Sequence, residues 1–271
     1  MVPFGGESIV AKDVKTAAFA GGAVVGALGG LIGLGGAEFR LPLLIGVYGF
    51  GALSAVIMNK AMSLIVVAFS LPFRASSVPF GVVAGSWPIL ANILAGSLFG
   101  AWFGADWATK LKSKTLFRTI AALLVVMAVV LLFGHGVHGQ EAPPLTGPPQ
   151  MVAGVAAGFA IGVVAALMGV AGGELLIPTL ILLFGVDIKL AGSLSLAISL
   201  PTMLVGFARY SRDGSFSVIR EKREFAVAMA AGSIIGAFVG SLLLGLVDED
   251  ILLPVLSLIL VVSAFKVWKH E

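Results

Sequence analysis

Gly33-Leu-Gly-Gly-Ala-Glu38-Phe-Arg-Leu-Pro42-Leu-Leu and, 136 residues later, Gly169-Val-Ala-Gly-Gly-Glu174-Leu-Leu-Ile-Pro178-Thr-Leu are two copies of one motif. The offset places Gly33, Gly36, Glu38, Pro42 and Leu44 on Gly169, Gly172, Glu174, Pro178 and Leu180 without a gap. Each copy follows a long apolar run and opens a short one. Each therefore puts a helix break and a carboxylate at membrane depth. Broken helices at matching positions of two halves are the strongest sequence pointer to a transporter's binding site.

Composition sets the class. Of 271 residues, 59% are hydrophobic and only 11% charged, and the mean hydropathy is +1.09. A soluble domain carries about 25% charged residues. Apolar runs recur at roughly the length that crosses about 30 Å of hydrocarbon, so the chain reads as a polytopic α-helical membrane protein. The polar stretch Gly134 to Gln150 contains four prolines and no helical period, and reads as a loop between two halves of one membrane domain. The net charge of +3 does not argue for nucleic acid, because membrane proteins gather Lys and Arg in cytoplasmic loops. With no cysteine, disulfides and thiolate chemistry are excluded. Met1 to Lys15 reads as a cytoplasmic segment without a signal-peptide pattern.

Apolar segments fall at 16–34, 38–50, 54–73, 87–105 and 117–133, and again at 152–170, 174–185, 190–208, 225–246 and 251–267. Thirteen of the 17 Lys and Arg residues lie before the first segment, between the fourth and fifth, after the third of the second half, or at the end. The positive-inside rule assigns these regions to the cytoplasm. The loop 134–151 and Asp248-Glu249-Asp250 have no basic residue and belong outside. The loop between segments four and five is thus basic in one half and acidic in the other. The expected architecture is all-α, with two inverted-topology repeats of about five helical segments each and a broken or re-entrant helix pair at the start of each. Repeat 1 covers 16–133, the extracytoplasmic linker 134–151 and repeat 2 152–268, with both termini cytoplasmic.

The repeat extends past the motif. Ala20, Gly22, Gly26 and Leu31 match Ala156, Gly158, Gly162 and Leu167, while Gly96, Gly100 and Gly104 match Gly232, Gly236 and Gly240. Small residues at a four-residue interval form a flat stripe for close helix packing, and packing is the expected role of these glycines.

Irregular backbone survives in a membrane only where it is buried in protein or lines a cavity. Gly33, Gly35 and Gly36, with Gly169, Gly172 and Gly173, suit such a break, since glycine tolerates positive φ. Pro42 and Pro178 are expected in the first turn or so of the following helix. Segment two has about 13 apolar residues, or roughly 20 Å of helix, which favours a hairpin with its tip inside the membrane. Two helix N-termini aimed at the protein's middle would make an anion site. Glu38 and Glu174 admit two readings: each caps its helix, or each carries a proton coupled to anion movement. Arg40 either pairs with Glu38, faces the anion or snorkels to the surface, and Lys60 either faces the cavity or snorkels. Asn59 and Ser63, with Ser195 and Ser199, add polar groups in the third segments; the serines can equally bond within their own helix.

The paired Gly-rich motif followed by Pro-x-Leu, in two repeats over about residues 15 to 268, resembles the TauE/SafE family of sulfite exporter-like permeases. Asn59-Lys60 also sits where many members have a small residue, Asn and Lys. The resemblance implies a bacterial inner-membrane transporter of sulfite, organosulfonates or related sulfur-containing anions. Members often carry a third glycine followed directly by apolar residues; here Glu38 and Glu174 follow the small residue, which points to a different substrate or coupling ion.

The resulting expectation is a non-enzymatic secondary transporter, an exporter, working by alternating access around a midplane site between the repeats. Its partners are a small anion, the bilayer and protons as the candidate coupling ion; no cofactor, metal or nucleic acid is called for. His135, His138 and His270 fall in the outer loop and tail, away from any membrane site. The Gly-rich motif lacks the Lys-Ser/Thr ending of a phosphate-binding loop. A passive anion channel and a non-transporting scaffold are the rival readings.

Overall fold

The computed structural model describes residues 7–32, 36–74, 78–133, 144–212, 216–242 and 249–269. Gly33, Gly35, His135, His138, Asp248 and His270 lie outside them. Among the described residues every element is a helix. The first half contains α1 (Glu7–Ile32), α2 (Ala37–Gly46), α3 (Ala52–Arg74), α4 (Phe80–Gly85), α5 (Trp87–Lys110) and α6 (Ser113–Phe133). The second contains α7 (Pro148–Met168), α8 (Gly173–Phe184), α9 (Ile188–Ser211), α10 (Ser217–Glu221), α11 (Arg223–Leu242) and α12 (Glu249–Trp268). Six of these, α3, α5, α6, α7, α9 and α11, are long and apolar enough by the described residues alone to cross a membrane. The chain is a multi-pass membrane protein.

Two short helices, α4 and α10, interrupt loops that read as unstructured in sequence. Each has five or six residues and buries none of them, so neither carries the apolar period by which a helix is recognised. The second segments are shorter than their apolar runs. At 10 and 12 residues, α2 and α8 rise about 15 and 18 Å, well short of the roughly 30 Å a full crossing needs. The reason is local: Gly36 and Gly172 hold left-handed backbone at their starts, and Gly185 does so at the end of α8.

Glycine stripes set how closely the long helices approach. A Cβ on Gly22 or Gly26 of α1 would fall on the carbonyls of Met229 and Ser233 in α11, and one on Gly158 or Gly162 of α7 on those of Ile93 and Ser97 in α5. From the facing side, Gly232, Gly236 and Gly240 abut Phe19, Ala23 and Ala27, while Gly96, Gly100 and Gly104 abut Val155, Phe159 and Val163. Every one of these contacts recurs at the 136-residue offset with the two halves exchanged. The registers ascend together, so α1 runs parallel to α11 and α7 parallel to α5. The exchange extends further: α3 packs on its counterpart α9 and α6 on its counterpart α12. Contacts of α2 with α12 match contacts of α8 with α6.

Backbone carbonyls cannot yield as flexible side chains can. Gly100→Ala and Gly236→Ala are each expected to lower stability by about 1–3 kcal/mol, read as the thermal unfolding midpoint in detergent. Gly81, with open space around it, provides the control: Gly81→Ala is expected to change stability by no more than about 0.5 kcal/mol.

Candidate functional site

The site is built around two helix breaks. At the second, α7 ends at Met168 and Gly169 turns left-handed with φ 67°. The Gly169 N–H donates to the Ala166 carbonyl and the Val170 N–H to that of Ala165, the paired bonds of a Schellman ending. Three side chains from other helices then meet the last carbonyls of α7. Lys60 Nζ of α3 donates to Ala165 O at 3.3 Å, Asn59 Nδ2 of α3 to Met168 O at 3.1 Å, and Tyr210 Oη of α9 to Ala166 O at 3.0 Å. A cation and two neutral donors thereby satisfy carbonyls that carry the negative end of the helix dipole. Asn59 Nδ2 also donates to Ala37 O, 2.9 Å away in the first turn of α2, tying both breaks to one side chain.

The following helices start without side-chain caps. Gly36 (φ 69°) and Gly172 (φ 82°) occupy the N-cap positions, and neither helix has a side-chain cap bond. The first intrahelical bond of α2 runs from the Arg40 N–H to the Gly36 carbonyl, leaving the N–H groups of Ala37, Glu38 and Phe39 ahead of it. Glu38 and Glu174 stand second in their helices. Pro42 and Pro178 lie in the second turn, sixth in each helix, and not in the first turn as the sequence suggested. The helices begin at the glycines, which puts each proline four residues after its glutamate. A proline has no N–H, so in both copies the glutamate's own carbonyl loses its intrahelical donor.

The ionisable side chains converge here. Glu38, Arg40, Asn59, Lys60 and Ser63 are at most 2% exposed, and Glu174 7%. Arg40 Nη1 donates to Ser63 Oγ at 3.1 Å and to Asn59 Oδ1 at 3.4 Å. Arg40 and Lys60 therefore do not snorkel to the surface; their side chains stay among the elements around the breaks. Room for Lys60 comes from Gly206 of α9, where a Cβ would lie 2.9 Å from its Cε and 3.0 Å from its Nζ. No donor among the described residues meets either oxygen of Glu38 or Oε2 of Glu174 with hydrogen-bond geometry.

Ser199 Oγ donates to the break carbonyl of Ala171 at 2.7 Å, while Ser195 spends its hydroxyl on Gly192 in its own helix. Tyr210 was not singled out in sequence, because an aromatic near a helix end reads as an interfacial anchor; its complete burial and bond to α7 give it a different role. Outside the cluster, Asp106 of α5 accepts from Arg209 of α9 and from Lys110. Tyr210→Phe is expected to cost about 0.5–1.5 kcal/mol, the net worth of one hydrogen bond, because the Ala166 carbonyl keeps the Gly169 N–H; thermal unfolding with and without the substitution checks it.

A family model for the sulfite exporter TauE/SafE matches residues 7–131, which takes in α1 through nearly all of α6 and so the whole first break. No curated protein and no solved structure matches the chain.

Proposed function

We propose, from the match of residues 7–131 to the sulfite exporter TauE/SafE family model, that the chain is a secondary transporter of small sulfur-containing anions, sulfite and organosulfonates foremost. The observation that carries this reading is the burial of Arg40 and Lys60 beside the starts of α2 and α8. A buried cation needs a counter-charge. The partner seen for Lys60 is the neutral carbonyl oxygen of Ala165. An anion beside Lys60, with the N–H groups at the start of α2 and the Arg40 guanidinium in the same cluster, completes the electrostatics. Asn59, Ser63 and Ser199 line the same region; Ser195 is left with a role inside its helix.

Alternating access between inverted repeats fits this arrangement. Arg118, near the start of α6, stacks on Trp268, the last residue of α12. Arg209, near the end of α9, meets Asp106, near the end of α5. The first contact favours antiparallel counterparts α6 and α12, which suits a twofold axis lying in the membrane plane. Lys15, Lys110, Arg118, Arg209 and Lys269 then share one face, and the positive-inside rule makes it cytoplasmic, with both termini on that side. In a bacterium this is the inner membrane. The burial of the whole cluster favours an occluded carrier over an open channel.

Reconstituted into liposomes, the protein is expected to move sulfite or sulfoacetate and to leave phosphate behind. Arg40→Gln and Lys60→Gln should each weaken anion binding by about tenfold to a hundredfold, the worth of a charge-assisted hydrogen bond. Equal flux in wild type and both variants would remove the cluster from the pathway. No flux of any sulfur-containing anion would leave a scaffold.

A further inference from the structure

Among the contacts between the halves, α5 packs on α9 and, at the 136-residue offset, α11 packs on α3. Thr202, Gly206 and Arg209 recur at helical spacing on one face of α9, and each meets α5 or the buried cluster. Thr202 spends its proton on the Ile198 carbonyl, so Ser97 of α5 donates to it, 2.8 Å away. A Cβ on Gly206 would meet Lys60 and, 3.7 Å away, the Ala101 carbonyl of α5. Arg209 Nε donates to Asp106 Oδ1 of α5 at 3.1 Å, and its Nη2 donates to the same oxygen. The seam is therefore fastened on both sides of Lys60. A hydroxyl pair lies one turn before Gly206, and an ion pair lies three residues after it, about 4.5 Å along the axis. With side chains only 12% and 29% exposed, Arg209 and Asp106 are screened less than a surface pair. Arg209 and Arg212 also lie over the Trp102 ring of α5, 5.9 and 4.7 Å from its centroid.

Neither fastening can form in the counterpart seam. Ser97, Asp106, Thr202 and Arg209 map onto Ser233, Leu242, Val66 and Phe73. Ser233 is fully buried, yet its hydroxyl has no hydrogen-bond partner, because Val66 has no side-chain oxygen where Thr202 has one. Leu242 is 63% exposed and carries no charge. The helices are duplicated and the fastening is not.

Two equivalent seams with unequal fastening bias a carrier toward the state in which the fastened one is shut. We propose that the Asp106–Arg209 pair is a latch across the route between Lys60 and the membrane face that bears Lys110 and Arg212. The pair must part before an anion passes that face. Lys110 also donates to Asp106, but from the same helix, so that bond ties no helix to another. The latch rests on the carrier reading, since alternating access supplies the state in which the seam opens.

The chain has no cysteine, so single introduced thiols report on each seam. Ser97→Cys and Ser233→Cys put near-isosteric thiols at matching positions. Lys112→Cys, exposed between α5 and α6, identifies the side reached by a membrane-impermeant methanethiosulfonate reagent. The full-length protein is reconstituted in vesicles and the reagent is added on the Lys112 side. Asp106→Asn and Arg209→Gln are each expected to speed modification of Ser97→Cys about tenfold, the worth of a charge-assisted hydrogen bond. Neither should speed modification of Ser233→Cys from either side. Lys110→Ala should leave the Ser97→Cys rate within about twofold, as for an exposed i,i+4 pair. A Ser97→Cys rate unchanged by both variants overturns the latch. So does an equal rise at Ser233→Cys, which marks a general loosening of the bundle. Where one variant does not fold, the other decides. Anion flux in the same vesicles separates the two readings. Flux of sulfite with unaltered labelling rejects the latch alone; no flux of sulfite or sulfoacetate rejects the carrier, and the latch with it.

Discussion

A helix that stops inside a membrane leaves carbonyls and N–H groups where no water can reach them, and the rest of this molecule is arranged around that constraint. The carbonyl end of α7 is met by Lys60, Asn59 and Tyr210. Each donor comes from α3 or α9, so closing the break fixes how the central helices of the two halves pack. Lys60 in turn packs against Gly206 of α9, where a Cβ would lie 2.9 Å from its Cε. The same side chains that make the break tolerable also bring positive charge to the molecule's middle.

What the sequence revealed depended on how local its cause was. The breaks were legible because glycines with positive φ, Gly36, Gly169 and Gly172, are required wherever a chain reverses tightly. The packing glycines were legible because a four-residue interval keeps them on one helix face. Three features were not. The prolines looked like first-turn residues, since nothing in the sequence fixes whether a helix starts at Gly36 or two residues later. Tyr210 gained its role from the end of α7, 44 residues away in the chain. The lack of donors around Glu38 and Glu174 depends on side chains from both halves, and an offset of 136 shows correspondence without surroundings.

The two halves share backbone but divide the charges. Glycines, prolines and glutamates recur in both copies. Arg40, Asn59 and Lys60 face Leu176, Ser195 and Leu196 at the equivalent positions. A perfectly duplicated cluster would bury four cations at one depth, at a desolvation cost that nearby carbonyls could not offset. Keeping the cations in one half gives a single polar focus between two breaks. It also accounts for Ser199 turning to the Ala171 carbonyl while its counterpart Ser63 accepts from Arg40.

The glutamates differ from the cations in being kept in both copies. They stand second in α2 and α8 and are buried, and no donor among the described residues meets either oxygen of Glu38 or Oε2 of Glu174. A carboxyl buried without donors is costly, so the duplicated motif carries more than the backbone geometry its glycines and prolines explain.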